Sequence, residues 1–288
     1  MESGYRPADI LVYKNTSEMI RAFPEPVVHY ENDGAILLED CGLEFDESYL
    51  SVITFPSEWK KIGTTEHITD MPIVLKDGTF LRTHNPLCEL IDDDRILLKL
   101  YSEFLRIELS FKLLVSQVFP TYRNINWANC TFRFTETRDE GPHLDSFSNG
   151  LPFPVEMQLP RFKLFLNVDS RARIWNIGPR LKDLLMFSRD VLGATLPSDL
   201  NVLCALINKS GALDVCPRVK LEIPPRGIVF ANGSTVVHQV VYGNRVIGLE
   251  GFMPSTSLFT AAGSEWDKLG PWIREAGYSC SADQQARA

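Results

Sequence analysis

No apolar run in this 288-residue chain approaches the ~18 residues needed to cross a bilayer. The first thirty residues lack an uninterrupted apolar stretch and carry acids throughout. Neither a secretory signal nor a transit peptide is readable there, and a cytoplasmic protein is expected. Cysteine is scarce: the six, at 41, 88, 130, 204, 216 and 280, show no CxxC spacing, so free thiols are expected rather than a disulfide framework. Surplus positive charge is also missing, since 29 Lys+Arg stand against 37 Asp+Glu, a net charge of -8. That balance repels a phosphate backbone, and no nucleic-acid partner is expected. No period of 20 to 50 residues repeats, which excludes a solenoid. What remains is an ordinary globular composition, 44% hydrophobic and 23% charged, in a chain long enough to bury its own core.

Periodicity divides the chain. Residues 26 to 86 hold short apolar runs, AILLED, SYLSVITF and PIVLKDGTFLRT, with Asp77-Gly78 as a turn, and predict a few strands. From Ile91 to Phe119 apolar residues fall at helical spacing (Ile96, Leu100, Phe104, Ile107, Phe111, Leu114, Val115), predicting one long, largely buried helix. After Pro120 the period drops to two. In CTFRFTET, Phe132 and Phe134 oppose Thr131, Arg133, Thr135 and Thr137; in RFKLFLNVD, Phe162, Leu164, Leu166 and Val168 oppose Arg161, Lys163, Phe165 and Asn167. RIWNIG, KLEIPPRGIVFAN, STVVHQVV and RVIGLEGFM read as further strands, the last two joined by a tight hairpin at Tyr242-Gly243-Asn244, while LKDLLMFSRDVLG and DLNVLCALINKSG read as helical. About eight short strands with polar side chains on a shared face describe a barrel or jelly roll with an internal pocket. The expected organisation is an N-terminal α/β part (1-120) packing on a β core (121-256), then a C-terminal extension (257-288), in one integrated domain.

His143 and Asp145 stand two apart in GPHLDSF, so an extended backbone presents both on one face, within reach of one ion. A surface turn with a solvated Asp is the plain alternative. His238, on the apolar run STVVHQVV, would complete a set of two imidazoles and one carboxylate, the facial triad of non-haem Fe(II) sites.

With His143-Leu144-Asp145, the proline-glycine run ending in Gly227 and the distal His238, residues 127 to 254 resemble the Fe(II)/2-oxoglutarate-dependent dioxygenases. Within that superfamily the succession FRFTET, HLDSF, LFLNV, RIWNIG looks most like the Kdo hydroxylases, which oxidise the eight-carbon sugar acid of lipopolysaccharide. The resemblance implies a double-stranded β-helix of the cupin-like kind with a helical buttress. It further implies Fe(II) on His143, Asp145 and His238, with 2-oxoglutarate and dioxygen as co-substrates. The carboxylate at Asp145 argues for C–H oxidation, most simply hydroxylation, over chlorination.

A cofactor with two carboxylates needs a cation for its far end. Arg245 is the first choice, opening the strand after His238; Lys163 is the second, with Asn167 beside it on the same face. Arg133, Arg173, Thr131, Thr135, Phe147 and Trp175 are candidates to line the substrate pocket, with core packing as the alternative for the aromatics. The surplus cations point to a small polar substrate bearing a carboxylate. Ring closure or desaturation by a natural-product tailoring enzyme, and a non-catalytic cupin-like binding module, are the competing readings. A hydrolase using Ser146 or Ser234 fits badly, because the chain has no GxSxG elbow.

Overall fold

The computed structural model describes residues 6–53, 73–74, 80–81, 91–134, 136–146, 160–197, 199–260 and 265–280. Strand β1 (Ile10–Asn15) leads into α1 (Thr16–Arg21), whose first turn is capped by the Asn15 side chain accepting from the Glu18 N–H. Helix α2 (Glu25–Glu31) and β2 (Ala35–Asp40) follow. The run read as a strand at SYLSVITF is instead helical over α3 (Glu47–Val52), because the Asp46 carboxylate accepts from the Tyr49 N–H and starts a helix there. Strands β3 (Ile73–Val74) and β4 (Phe80–Leu81) pair antiparallel, as the Asp77-Gly78 turn leads one to expect, although the turn itself lies outside the described residues.

The long helix is α4 (Asp94–Val118), capped by Asp93. Leu100, Phe104, Ile107, Phe111, Leu114 and Val115 are buried as the spacing requires, whereas Ile96, in the first turn, is 48% exposed. Beyond it come β5 (Asn126–Arg133), β6 (Thr137–Arg138), β7 (Arg161–Asn167) and β8 (Arg173–Arg180). The two helical stretches become α5 (Leu181–Phe187), α6 (Arg189–Leu192) and, after β9 (Thr195–Leu196), α7 (Leu200–Lys209). The chain then forms β10 (Val219–Ile223), β11 (Ile228–Phe230), β12 (Val236–Gly243), β13 (Val246–Phe252), α8 (Glu265–Glu275) and β14 (Ser279–Cys280).

Two sheets carry the architecture. One has the order β1-β2-β11-β7-β13-β5 and the other β10-β8-β12-β6. Successive core strands mostly alternate between them, which is the winding of a double-stranded β-helix, or jelly roll. The turn at residues 242–244 is therefore not a hairpin: β12 pairs with β6 and β8, while β13 pairs with β5 and β7, so the chain crosses from one sheet to the other there. Strands β1 and β2 extend the larger sheet at its β11 edge.

Parity then sorts the side chains. Phe132, Phe162, Leu164 and Phe230 leave the outer face of the larger sheet and pack with Phe104, Phe111 and Phe119. Leu181, Leu184, Leu203, Ile207 and Leu269 cover the smaller sheet through Val237. Between the sheets an apolar zone, with Leu37, Trp175, Ile177, Val229 and Val240, occupies only part of the interior. The four described cysteine side chains, 41, 130, 204 and 216, are buried free thiols. Among the described residues no helix is long and apolar enough to cross a membrane.

Phe162 is fully buried and in ring contact with Tyr30, Phe119, Tyr122, Trp127 and Phe230. Phe162→Ala should lower stability by about 3–5 kcal/mol, read as a drop in denaturant midpoint.

Candidate metal centre

His143 and His238 exchange backbone hydrogen bonds, His143 N to His238 O at 2.8 Å and His238 N to His143 O at 3.0 Å. That narrow antiparallel bridge puts the two side chains on one face, with ring centroids 4.4 Å apart. Each ring is fixed through Nδ1, which lies 3.0 Å from Gly141 O in His143 and 3.1 Å from Val236 O in His238. A carbonyl only accepts, so Nδ1 carries a proton in both rings, which leaves Nε2 as the ring atom available to an ion. Burial, more than any neighbouring charge, pushes the His238 imidazole down to about 4, so it is neutral at physiological pH.

Asp145 follows beyond the bridge, with Leu144 turned the other way into the cluster under the smaller sheet. Asn208, from α7, holds both backbone groups of Leu144: the Leu144 N–H donates to Asn208 Oδ1 and Asn208 Nδ2 donates to Leu144 O, each at 2.8 Å. The Asp145 N–H donates to Gly233 O at 2.7 Å. These bonds bring ligand atoms of His143, Asp145 and His238 within 4.8 Å of one another. Two imidazoles and a carboxylate suit a divalent first-row metal, so the donor set fits the ion that the resemblance implies.

Gly233 is required by close approach. A Cβ there would sit 2.1 Å from Asp145 Oδ2 and 2.8 Å from His238 Cε1. Gly233→Ala should displace one of these side chains and lower divalent-metal affinity at least about tenfold, by analogy with the effect of disturbing outer-shell partners. A Co(II) titration reads this directly.

Polar groups on the inward faces of β7 and β13 surround the carboxylate. Lys163 Nζ is 2.6 Å from Asp145 Oδ2 and 3.6 Å from Glu250 Oε1. Arg161 Nε is 3.0 Å from Glu250, and its Nη1 donates to Ser234 Oγ. Burial alone would raise the Asp145 carboxyl, but the Lys163 ammonium and His238 hold it well below the usual carboxylate range. Among the described residues, Lys163 and Arg161 stand here against Asp145 and Glu250.

The other end is different. Trp175 stacks on the His238 ring at 5.4 Å, and the Arg173 guanidinium lies 5.9 Å from the Trp175 ring. Arg173 is 3% exposed, and its Nε and Nη1, like Trp175 Nε1, find no hydrogen-bond partner among the described residues. Burial first, and Arg133 second, push Arg173 down to about 9. Arg133 itself bonds Thr137 Oγ1 and Glu140 Oε2, both at 3.2 Å. Gly243 makes room for Arg173, since a Cβ there would come 2.0 Å from Nη1. A buried group of unused donors beside a candidate metal centre is suited to an acceptor, and most strongly to an anion.

The remaining expected site residues fall differently. Arg245 is turned away from this interior group: its guanidinium donates to Ile53 O at 3.0 and 3.2 Å and lies 3.7 Å from Asp169. Asn167 is committed to loop geometry, with Nδ2 donating to Arg171 O, Ile223 O and Pro224 O and Oδ1 accepting from Asp169 N. Lys163 faces inward as parity requires, but its ammonium engages Asp145. Thr131 lies opposite Gly248 of β13, on the same face of β5 as Arg133. Thr135 and Phe147 lie outside the described residues. Arg161, Asn208, Gly233 and Glu250 were not singled out by sequence; only Arg161 left a signal, sharing Lys163's parity in RFKLF.

Comparison with protein-family models and with curated proteins finds no match. Among solved structures, the apo form of the Kdo hydroxylase KdoO, a non-heme Fe(II) alphaketoglutarate dependent dioxygenase, superposes with a TM-score of 0.66 at 14% identity, covering 93% of this chain and 96% of that one. Its complex with alphaketoglutarate and Fe(III) gives 0.66 and 14%, over 94% and 97% of the two chains. The complex with succinate and Fe(III) gives 0.65 and 14%, over 93% and 96%. Similarity over nearly the full length of both chains establishes a shared fold, the jelly roll together with its helical cover.

Proposed function

We propose that this chain is a non-haem Fe(II)- and 2-oxoglutarate-dependent oxygenase that oxidises, most simply hydroxylates, an aliphatic C–H of a small polar substrate bearing a carboxylate. The observation that carries the reading is the convergence of ligand atoms from two imidazoles, His143 and His238, and an ionised Asp145 within 4.8 Å of one another. The bound iron, with 2-oxoglutarate and dioxygen, would supply the oxidising power while the co-substrate leaves as succinate. The chain's part is to hold, orient and exclude water.

His143, Asp145 and His238 would hold the ion. Arg173, the buried cation with unused donors, is a better anchor for the far carboxylate of 2-oxoglutarate than Arg245, whose donors are already engaged. Trp175 forms the wall between that anchor and His238. Arg133 and Thr131 remain for the substrate, and a Kdo-type sugar acid is one candidate because the chain shares its fold with KdoO. We also infer one integrated domain, since β1 and β2 of the first 120 residues are strands of the core sheet.

The test is an aerobic assay with Fe(II), 2-oxoglutarate and ascorbate over a panel of sugar acids and other small carboxylates. Metal-dependent succinate formation, with a product gaining one oxygen, is expected. A protein that neither binds nor consumes 2-oxoglutarate would overturn the reading and return the chain to the class of binding modules.

A further inference from the structure

The two oxygens of Asp145 are used differently. Oδ1 lies 3.9 Å from His238 Nε2, toward the ligand set, while Oδ2 lies 2.6 Å from Lys163 Nζ. Lys163 stands on β7, a strand paired on both sides, and its side chain is only 8% exposed. On its other side Glu250 holds the ammonium, and Arg161 in turn braces Glu250. Asp145 is itself fixed by backbone bonds, its N–H to Gly233 O and its carbonyl accepting from Ser234 Oγ at 3.2 Å.

We propose that Lys163 is a positioning residue that keeps Asp145 a one-oxygen ligand. The inference rests on the metal reading above. A carboxylate free to rotate can chelate an ion through both oxygens and occupy a further coordination position. A three-ligand site that must also accept a chelating 2-oxo acid cannot spare that position. An ammonium fixed on Oδ2 prevents the rotation. It also places a positive charge close to where a cation would sit, so Lys163 weakens simple metal binding while favouring the ternary complex.

These opposite effects make the test specific. Wild type, Lys163→Met and Lys163→Gln are titrated with Co(II), and each Co(II)-loaded protein is then titrated with 2-oxoglutarate while the visible spectrum of the ion is recorded. In Lys163→Met, Co(II) should bind at least as tightly as in wild type, its spectrum should shift toward higher coordination, and 2-oxoglutarate should bind about tenfold more weakly. Lys163→Gln keeps a donor without the charge, so it should retain the wild-type spectrum while binding Co(II) more tightly; this arm stands even if the Met variant does not fold. Weaker Co(II) binding in Lys163→Gln, or a Met variant with unchanged spectrum and unchanged 2-oxoglutarate affinity, overturns the proposal. If wild type itself takes up no Co(II), it is the metal reading that fails.

Discussion

Replacing His143 or Asp145 by alanine should abolish stoichiometric divalent-metal binding in a protein that still folds. Disturbing a neutral group that only supports a ligand typically reduces metal affinity by about 10–100-fold, Lys163 differing because its positive charge opposes the ion, so losing one of three proposed direct ligands should cost roughly a hundredfold or more. The two variants should part company in stability. His143→Ala removes a half-buried ring, while the backbone bridge to His238 needs no particular side chain, so stability should change by less than about 1 kcal/mol. Asp145→Ala removes the carboxylate 2.6 Å from the Lys163 ammonium, while Glu250 remains at 3.6 Å. Breaking a buried pair costs about 3–5 kcal/mol; because Asp145 is 24% exposed, the loss here should be nearer ~2 kcal/mol. Co(II) titration and thermal melts of the metal-free proteins check both halves. A variant that keeps normal metal affinity sinks the ligand assignment.

The clustering of His143 and Asp145 could be read from sequence because alternation is a local property. His143 and Asp145 flank an apolar Leu144, and the backbone does send Leu144 to the hydrophobic cluster and its neighbours to the interior. The same rule sorted Phe162 and Leu164 from Arg161 and Lys163. What parity cannot give is the direction a long side chain takes once it leaves the strand. Arg245 precedes β13 and could have turned inward, but Asp169 and the Ile53 carbonyl capture it, and both come from distant parts of the chain. The hairpin read at residues 242–244 fails for a related reason: turn residues specify a reversal, not which sheet receives the next strand. The close approach at Gly233 and the Asn208 clamp depend wholly on long-range packing and left no mark in the local pattern.

Arg173→Met should make the metal-free protein more stable and its 2-oxoglutarate complex weaker. Most buried side chains lose on both counts when replaced, so the opposed signs are diagnostic. In the free protein Arg173 is 3% exposed, has two guanidinium nitrogens, Nε and Nη1, with no partner among the described residues, and is repelled by Arg133. A buried charge without a partner is destabilising, and an unbranched apolar side chain of similar length relieves it, by about 1–3 kcal/mol, or a few degrees in Tm. With the co-substrate bound the balance reverses. A carboxylate accepting from the guanidinium gains roughly 1.5–3 kcal/mol per charge-assisted bond, so its loss should weaken 2-oxoglutarate binding by at least about tenfold. Arg133→Met makes the control, because Arg133 is already bonded to Glu140 and Thr137: it should leave 2-oxoglutarate affinity unchanged and lower affinity for the substrate. Isothermal titration on Co(II)-loaded protein, with melts of the metal-free form, decides among the outcomes. If Arg173→Met weakens the substrate and spares 2-oxoglutarate, the buried cation belongs to the substrate carboxylate. If it destabilises the metal-free fold and changes neither affinity, Arg173 is held for packing alone and the anion pocket is withdrawn.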